Sequence, residues 1–251
     1  MKKLIALLML VPGLALANPI DDKCAQHTTH GAPVSQLTDT QYICHVNYAV
    51  HYRFDTKTAE YVVEHLDALD VSGAVKRKNN FRPDPLVDDA KEASLDDYKA
   101  SGYDRGHLAP AANNSGTKEQ MDESFYLTNM IPQNKYHNRG IWRILEERVR
   151  DTAAEGNDIY VVSGTIYDKG YLTIGNNVGV PTRVWKVVYN ATTNEAIAFL
   201  FPNERLEIED MPKFAVTVDE VEKETGINFF PKLDEAVEAK ADINNWAEIK
   251  K

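Results

Sequence analysis

The chain has 251 residues, 43% of them hydrophobic, and its 38 acidic and 28 basic residues give a formal net charge of −10 at pH 7. This length suits one large domain or two small ones, and the hydrophobic content is enough for a buried core. Because an acidic chain lacks the broad positive surface that binds nucleic acid nonspecifically, any site for a polyanion has to be a local basic cluster.

The first residues have the pattern of a secretory signal peptide. A basic start at residues 1–3 is followed by an apolar run over residues 4–10 and by a small-x-small cleavage site at residues 15–17. The apolar run is too short to span a bilayer, and the alternative to a leader is a buried N-terminal helix. The sequence predicts a signal peptide over residues 1–17. It predicts one exported domain over residues 18–251, either periplasmic or extracellular and without a membrane partner.

The two cysteines both lie early in the predicted mature chain, at Cys24 and Cys44. An exported protein with two cysteines most simply pairs them. Such a disulfide would tie down the N-terminal segment and add roughly 3 kcal/mol of stability on the loop-entropy model. Neither a CxxC motif nor the Cys/His spacing of a zinc site is present, so a structural zinc ion is not predicted.

Strands are indicated where apolar residues alternate along the chain. In residues 45–54, Val46, Tyr48 and Val50 recur at period two, which is typical of a half-buried strand. A turn then leads into a return strand. The predicted strands are residues 45–54, 59–66, 124–130, 158–163, 183–189 and 196–201.

Helices are indicated in the second half of the chain. Residues 139–154 are predicted to form an amphipathic helix, because apolar residues recur three or four positions apart. Residues 217–220 have a capping-box pattern and Gly226 is a stop signal, which predicts a short helix between them. Residues 233–250 are predicted to be a helical tail. Strands and helices are mixed without regular βαβ spacing, so we predict one α+β domain with a largely antiparallel sheet.

The stretch DRGH groups four residues that could form part of a reaction centre. His107 could take a proton from water near neutral pH, and Arg105 could hold a phosphate with its planar guanidinium. Gly106 would permit a tight or left-handed turn between them. Asp104 could orient the site or form a local salt bridge. Taken alone, the motif is weak, since a lone histidine is more often structural.

Asn138 and Glu146 lie eight residues apart on the predicted helix. A neutral Asn oxygen suits Mg²⁺, which keeps most of its water, although Asn138 could instead only cap the helix. The spacing of a little over two turns would put Glu146 on the same face, but Glu146 could equally be a solvated charge paired with Arg143 or Arg150. The sequence has no acidic cluster for two ions, which favours a single metal ion.

A basic run precedes the DRGH motif and continues into a Pro-rich loop after Asn80. On an acidic protein this run could form part of a positive groove, and the alternative is a scattered, solvated surface. The basic residues concerned are Lys76, Arg77, Lys78, Arg82, Arg105, Arg139 and Arg143.

Three ordered motifs resemble the DNA/RNA non-specific endonuclease family, the branch of the ββα-metal nucleases that includes endonuclease G. They are YDRGHLAPAANN (residues 103–114), FYLTNMIPQN (125–134) and NRGIWRILE (138–146). The resemblance covers about residues 42–231 and includes KNNFRPDP upstream and VPTRVWKVVY downstream. It implies the ββα-metal nuclease fold, with a mainly antiparallel sheet flanked by helices.

The resemblance also implies roles for individual residues. His107 matches the general base, and Asn138 matches the one direct protein ligand of a catalytic Mg²⁺, for which Mn²⁺ could substitute. Arg105 matches an arginine that contacts phosphate, and Asn129 matches a supporting asparagine. Glu146 matches an acidic residue that holds water bound to the metal.

Four further residues are predicted to bind or support the substrate. An upstream arginine of the family falls on Arg77 or, with a different alignment, on Asn79. Arg82 and Arg139 are predicted substrate contacts, and Gln133 is predicted to lie near the site.

The implied activity is hydrolysis of DNA and RNA to 5′-phosphate and 3′-hydroxyl ends, by a monomer or a homodimer. A secreted phosphodiesterase for small substrates and a catalytically silent nucleic-acid-binding module are the alternatives.

Overall fold

The computed structural model describes residues 24–241. The predicted signal peptide and residues 242–250 of the predicted tail lie outside this range. The strands are β1 (Thr40–Cys44), β2 (Tyr48–Arg53), β3 (Thr58–Leu66), β4 (Asp104–His107), β5 (Met130–Gln133), β6 (Ile159–Ile166), β7 (Thr173–Ile174), β8 (Val178–Gly179), β9 (Arg183–Asn190), β10 (Glu195–Pro202) and β11 (Ala215–Val216). The α-helices are α1 (Leu95–Tyr98), α2 (Lys118–Glu123), α3 (Lys135–His137), α4 (Arg143–Ala154), α5 (Val218–Thr225) and α6 (Glu235–Glu238). Within residues 24–241 no helix is long and apolar enough to cross a membrane.

Seven strands form one antiparallel sheet in the order β1-β2-β3-β6-β9-β10-β11. The predicted α+β class and antiparallel sheet are therefore confirmed. Alternation along β9 shows how the sheet is covered. Val184 and Val188 contribute to a core that includes residues of α4, whereas Trp185 and Val187 contribute to a core that includes residues of α5.

The prediction that residues 45–54 form a half-buried strand is wrong in its burial. Five of the six residues of β2, from Tyr48 to Tyr52, are buried. Tyr48, Val50 and Tyr52 join the core on the α4 side of the sheet. Ala49 packs beside the disulfide at the other face. Alternation along a strand reports which face a side chain takes, and here both faces are covered.

Two other element predictions are corrected by local hydrogen bonds. Residues 124–130 are not a strand, because Ser124 ends α2 and Leu127–Asn129 forms a 3₁₀ turn. The helix predicted to start at residue 139 starts earlier, since the side chain of Asn134 caps α3. A five-residue π turn over Asn138–Trp142 then leads into α4.

The capping box and the disulfide are confirmed. Thr217 and Glu220 cap α5 reciprocally, and Gly226 ends it in the left-handed conformation at φ 72°. Cys24 and Cys44 are disulfide-bonded, with their Cα atoms 5.8 Å apart. Of the predicted helical tail, the described part contains the short helix α6.

His45 follows β1 and is buried between two carboxylates. Its Nε2 lies 2.9 Å from Asp84 Oδ2, and its Nδ1 lies 3.9 Å from Glu123 Oε1. Burial opposes protonation, but the two carboxylates outweigh it and raise the pKa of His45 above 6.5. Burial likewise opposes ionisation of Asp84, yet its hydrogen bond with His45 holds the pKa of Asp84 below its usual value.

This pair should make folding stability depend on pH. A raised histidine pKa contributes stability that is complete below pH 6.5 and is lost as pH rises through the folded-state pKa. At pH 5.5 we expect the free energy of unfolding of the wild type to exceed that of a His45→Gln variant by roughly 2 kcal/mol, the usual contribution of a hydrogen bond to a charged group. Urea unfolding at pH 5.5 and 8.5 measures the gap, which should shrink at the higher pH. A gap that stays constant would contradict a protonated His45.

Candidate active site

The site is built on a two-stranded antiparallel ribbon followed by a helix. Strands β4 and β5 pair so that His107 faces Met130 and Asp104 faces Gln133. The chain then enters α3 two residues after β5, and the π turn follows α3 directly. This ββα arrangement brings the DRGH motif and Asn138 together, although they are more than thirty residues apart in the sequence.

Gly106 is needed for close packing and not for a left-handed turn, which corrects the sequence-based interpretation. It lies within β4 without a positive φ. A Cβ atom at this position would lie 2.0 Å from Oε1 and 2.6 Å from Cβ of Gln133. Gln133 is itself fully buried, and its Nε2 donates to Nδ1 of His137 at 2.8 Å. Gln133 therefore supports the ribbon from inside and does not line the cleft.

Gly106→Ala should force the two strands of the ribbon apart. We expect a loss of roughly 1–3 kcal/mol in the free energy of unfolding, the usual cost of overpacking, together with reduced activity because His107 is the next residue. Urea unfolding measures this loss. The control is a double-mutant cycle with Gln133→Gly, which removes the clashing atoms and should recover part of the stability. Strict additivity of the two changes would argue against the clash.

His107 lies at the end of β4 among aromatic and cationic side chains. Its ring packs edge-on against Phe125, with centroids 5.1 Å apart, and lies 5.6 Å from the ring of Phe81. Burial, reinforced by Arg77 and Arg105, lowers the pKa of His107 to about 3. The imidazole is therefore neutral at physiological pH and can accept a proton. Its Nε2 is buried without a hydrogen-bond partner among the described residues, and such a nitrogen costs free energy unless a bound molecule satisfies it.

Asn129 holds the backbone that follows His107. Its Nδ2 donates to the carbonyls of Ala109, at 2.8 Å, and Ser124, at 2.9 Å. Its Oδ1 accepts from the amide of Ala109 at 2.9 Å. With no exposed surface, Asn129 positions the loop and does not reach the substrate.

Asn138 is oriented by Asp104, which resolves the ambiguity over the latter residue. Nδ2 of Asn138 donates to Oδ2 of Asp104 at 2.9 Å. Arg139 donates to both oxygens of the same carboxylate, at 2.7 and 2.6 Å. Partial burial would raise the pKa of Asp104, but these donors outweigh it and lower the pKa. Asn138 is therefore not the helix cap, and its amide oxygen is left as an acceptor.

Glu146 is not on a continuous helical face with Asn138. The backbone between them is irregular at Gly140, where φ is −105° and ψ is −112°. Glu146 is half-buried, and burial raises its pKa to about 7 against the opposing effects of Lys186 and Arg150. It also interacts electrostatically with Arg77. Arg77 also contributes to the lowered pKa of His107, so His107 and Glu146 lie within electrostatic reach of the same arginine.

A cleft of about 650 Å³ lies above this arrangement. Four cationic side chains line it, namely Arg77, Lys99, Arg105 and Arg139, together with Asn138. His107 and Glu146 are not among the residues that line it. Arg82 is placed elsewhere, because it donates to the carbonyls of Asn80 and Asp122 and stacks over Tyr126. The predicted positive groove thus contains only part of the basic run.

Of the two positions considered for the upstream arginine, Arg77 lines the cleft. Its guanidinium lies 5.0 Å from the centroid of Phe125, and its Nε donates to Oδ1 of Asn79 at 3.0 Å. Arg105 lies over Phe81 at 4.3 Å. Both guanidinium groups are thus held by aromatic rings that also contact His107.

A buried polar cluster within electrostatic reach of Glu146 was not predicted from the sequence. Lys186, only 1% exposed, donates to Ser163 and lies 4.6 Å from the ring centroid of Trp142. Its neighbour Glu64 has a pKa raised by burial to about 8 and accepts from Asn113. The only signal available in the sequence was a lysine in the middle of the apolar strand VWKVVY.

Comparison with known proteins adds to this geometry. A model of the DNA/RNA non-specific endonucleases matches residues 26–236, a longer range than the motifs indicated. The chain belongs to this family. Mitochondrial nuclease EXOG of Homo sapiens is 34% identical over 232 residues, which cover 85% of this chain and 62% of that protein. A nuclease of Nostoc sp. is 33% identical over 229 residues, covering 84% of this chain and 83% of the relative.

The structural comparison agrees with the family assignment. A crystal structure of EndoG in complex with EndoGI superposes with a TM-score of 0.76 at 30% identity, covering 86% of this chain and 94% of that one. The ββα-metal nuclease fold predicted from the motifs is thereby confirmed. The match to EXOG nevertheless spans less than two thirds of that relative's length.

Proposed function

We propose that this endonuclease-family chain hydrolyses phosphodiester bonds in both DNA and RNA with the help of one Mg²⁺ ion. The observation that carries the proposal is the environment of His107. A neutral imidazole lies within electrostatic reach of Arg77 and Arg105, and these two guanidinium groups line the same cleft as Asn138. A proton acceptor next to paired guanidinium groups suits attack of water on a phosphate.

Each residue near the cleft has a separate role in the proposed reaction. His107 takes a proton from the attacking water. Arg105 and Arg77 offset the negative charge that grows on the phosphate oxygens as the water adds, because preorganised cations cost no reorganisation during the reaction. Asn129 keeps the His107 loop in place through its hydrogen bonds to Ala109.

The residues present fit a hard divalent cation. The amide nitrogen of Asn138 is committed to Asp104, so its oxygen, the ligand type that Mg²⁺ prefers, is available. Glu146 supplies a second oxygen group to hold water near the ion. When bound, Mg²⁺ or Mn²⁺ would act as a Lewis acid that stabilises the negative charge developing in the reaction.

This arrangement implies the substrate range and the products. Contacts to phosphate carry no sequence information, so little base preference is expected. Attack of water requires no 2′-hydroxyl, so RNA and DNA should both be cleaved. Departure of O3′ leaves 5′-phosphate and 3′-hydroxyl ends.

Export to the periplasm or the medium is part of the proposal. The leader pattern of residues 1–17 supports it, and so does the Cys24–Cys44 disulfide, because disulfides persist in oxidising compartments. Export would also keep a nonspecific nuclease away from the genome of the producing cell.

Digestion of single- and double-stranded DNA and RNA tests the function, with and without Mg²⁺ and with end-group analysis of the products. We expect Mg²⁺-dependent cleavage of all four substrates to 5′-phosphate ends. Cleavage restricted to small phosphodiesters would identify a phosphodiesterase instead. Binding of polymers without any cleavage would identify a silent binding module.

A further inference from the structure

Tyr136 is an unusual surface residue. Its side chain is 51% exposed, whereas every other Phe, Tyr and Trp among residues 24–241 is buried or partly buried. It lies on α3, two residues before Asn138. A single exposed side chain of this size needs no explanation by itself, but Tyr136 precedes by two residues the one expected to bind the metal.

Two cationic side chains lie over the ring of Tyr136. Nζ of Lys135 lies 5.0 Å from the ring centroid, and the guanidinium carbon of Arg205 lies 5.3 Å from it. Lys135, Tyr136, Arg139 and Gly140 line a hollow of about 380 Å³. Arg139 also lines the active-site cleft, so the hollow and the cleft adjoin at this residue.

The surroundings of Tyr136 are held in place by backbone contacts. Asn203, on the loop that carries Arg205, accepts from the amide of Asn134 at 2.9 Å. Its Nδ2 donates to the carbonyls of Pro132 and Pro181. The start of α3 and the Arg205 loop are therefore fixed to each other. Tyr136 is presented on a built support and not on a free loop.

The charges of this surface favour an anionic ligand with a flat group. Arg139 is paired with Asp104 and Arg205 with Glu207, which leaves Lys135 as an exposed cation without an ion pair among the described salt bridges. A phosphate near Lys135 and Arg139 would place the next base of a strand near the ring. Stacking of bases on aromatic side chains combined with cationic contacts to the backbone is typical of single-stranded nucleic-acid binding.

We propose that Tyr136 is a stacking platform for one unpaired base of the bound strand, next to the scissile phosphate. The proposal rests on the proposed function, since it places the base beside the cleft where cleavage would occur. It adds to that function a preference for single-stranded over double-stranded substrates. Bases in a duplex are already stacked on their neighbours, so the platform should favour single strands.

Equilibrium binding tests the platform without requiring cleavage. Fluorescence anisotropy of a labelled single-stranded DNA dodecamer is measured with the full chain in EDTA. Tyr136→Ala should weaken binding about tenfold, as expected for loss of one base stacked on an aromatic ring, and Tyr136→Trp should retain it. Leu172→Ala is the matched control, because Leu172 is 66% exposed and lies outside both the cleft and the hollow.

A second set of ligands separates stacking from other effects. Tyr136→Ala should leave binding of a fully abasic strand of the same length, and of a DNA duplex, within twofold of wild type. An equal loss on the abasic strand, or no loss on the dodecamer, would overturn the proposal. If the wild type failed to cleave in Mg²⁺ while the Tyr136 dependence persisted in EDTA, the proposed function would fail and the platform would stand.

Discussion

Replacing His107 with alanine should abolish nearly all cleavage while the protein remains folded. General-base catalysis contributes typically about 10²–10⁴-fold to a rate, and among residues 24–241 no histidine lines the cleft that could replace His107. The remaining fully buried histidine nearby, His137, is engaged by Gln133. Initial rates on plasmid DNA at saturating Mg²⁺ measure the loss.

Two controls make the His107 result specific. His65→Ala removes a histidine that pairs with Asp158 and stacks on Tyr160, in the core on the other face of the sheet, and should leave the rate unchanged. His107→Gln keeps most of the volume between Phe81 and Phe125, so it separates lost chemistry from a cavity. A His107→Gln variant with near-wild-type cleavage would remove His107 from the role of base.

Replacing Asn138 with alanine should be the second most damaging change and should act through the metal. Loss of a residue that only orients a metal ligand typically costs about 10–100-fold in metal affinity or activity, so loss of the ligand should cost at least about 100-fold. A Mg²⁺ titration of the cleavage rate should show the midpoint moved to higher concentration. An unchanged midpoint would contradict the assignment of Asn138.

Asp104→Ala gives a graded comparison for this prediction. It removes the acceptor of the Asn138 amide without removing the ligand, so the loss should lie within the range of about 10–100-fold and should again appear in the Mg²⁺ midpoint. Arg143→Ala is the control on the same segment of chain. That residue pairs with Glu147 on the exposed side of α4 and should leave the titration unchanged.

Local patterns in the sequence predicted the elements that depend on local interactions. A turn signal after the first predicted strand located the return strand around residues 59–66, and the capping box located the helix that ends at Gly226. These signals are reliable because the groups that satisfy them lie within a few residues. The strand predicted at 124–130 was wrong because its apolar residues reflect tertiary burial and not a local strand pattern. Its apolar residues are buried by packing, whereas its backbone forms turns.

The sequence by itself determined the antiparallel α+β class, the disulfide and, through three ordered motifs, the endonuclease family. Only the tertiary structure decided how these residues are held. Asp104 orients Asn138 across 34 positions of sequence, and Gly106 allows Gln133 to fill the ribbon. Only packing could show that Arg82 is engaged elsewhere and that Tyr136 is exposed. Sequence periodicity reflects interactions between residues a few positions apart, whereas these contacts depend on how segments distant in the sequence approach one another.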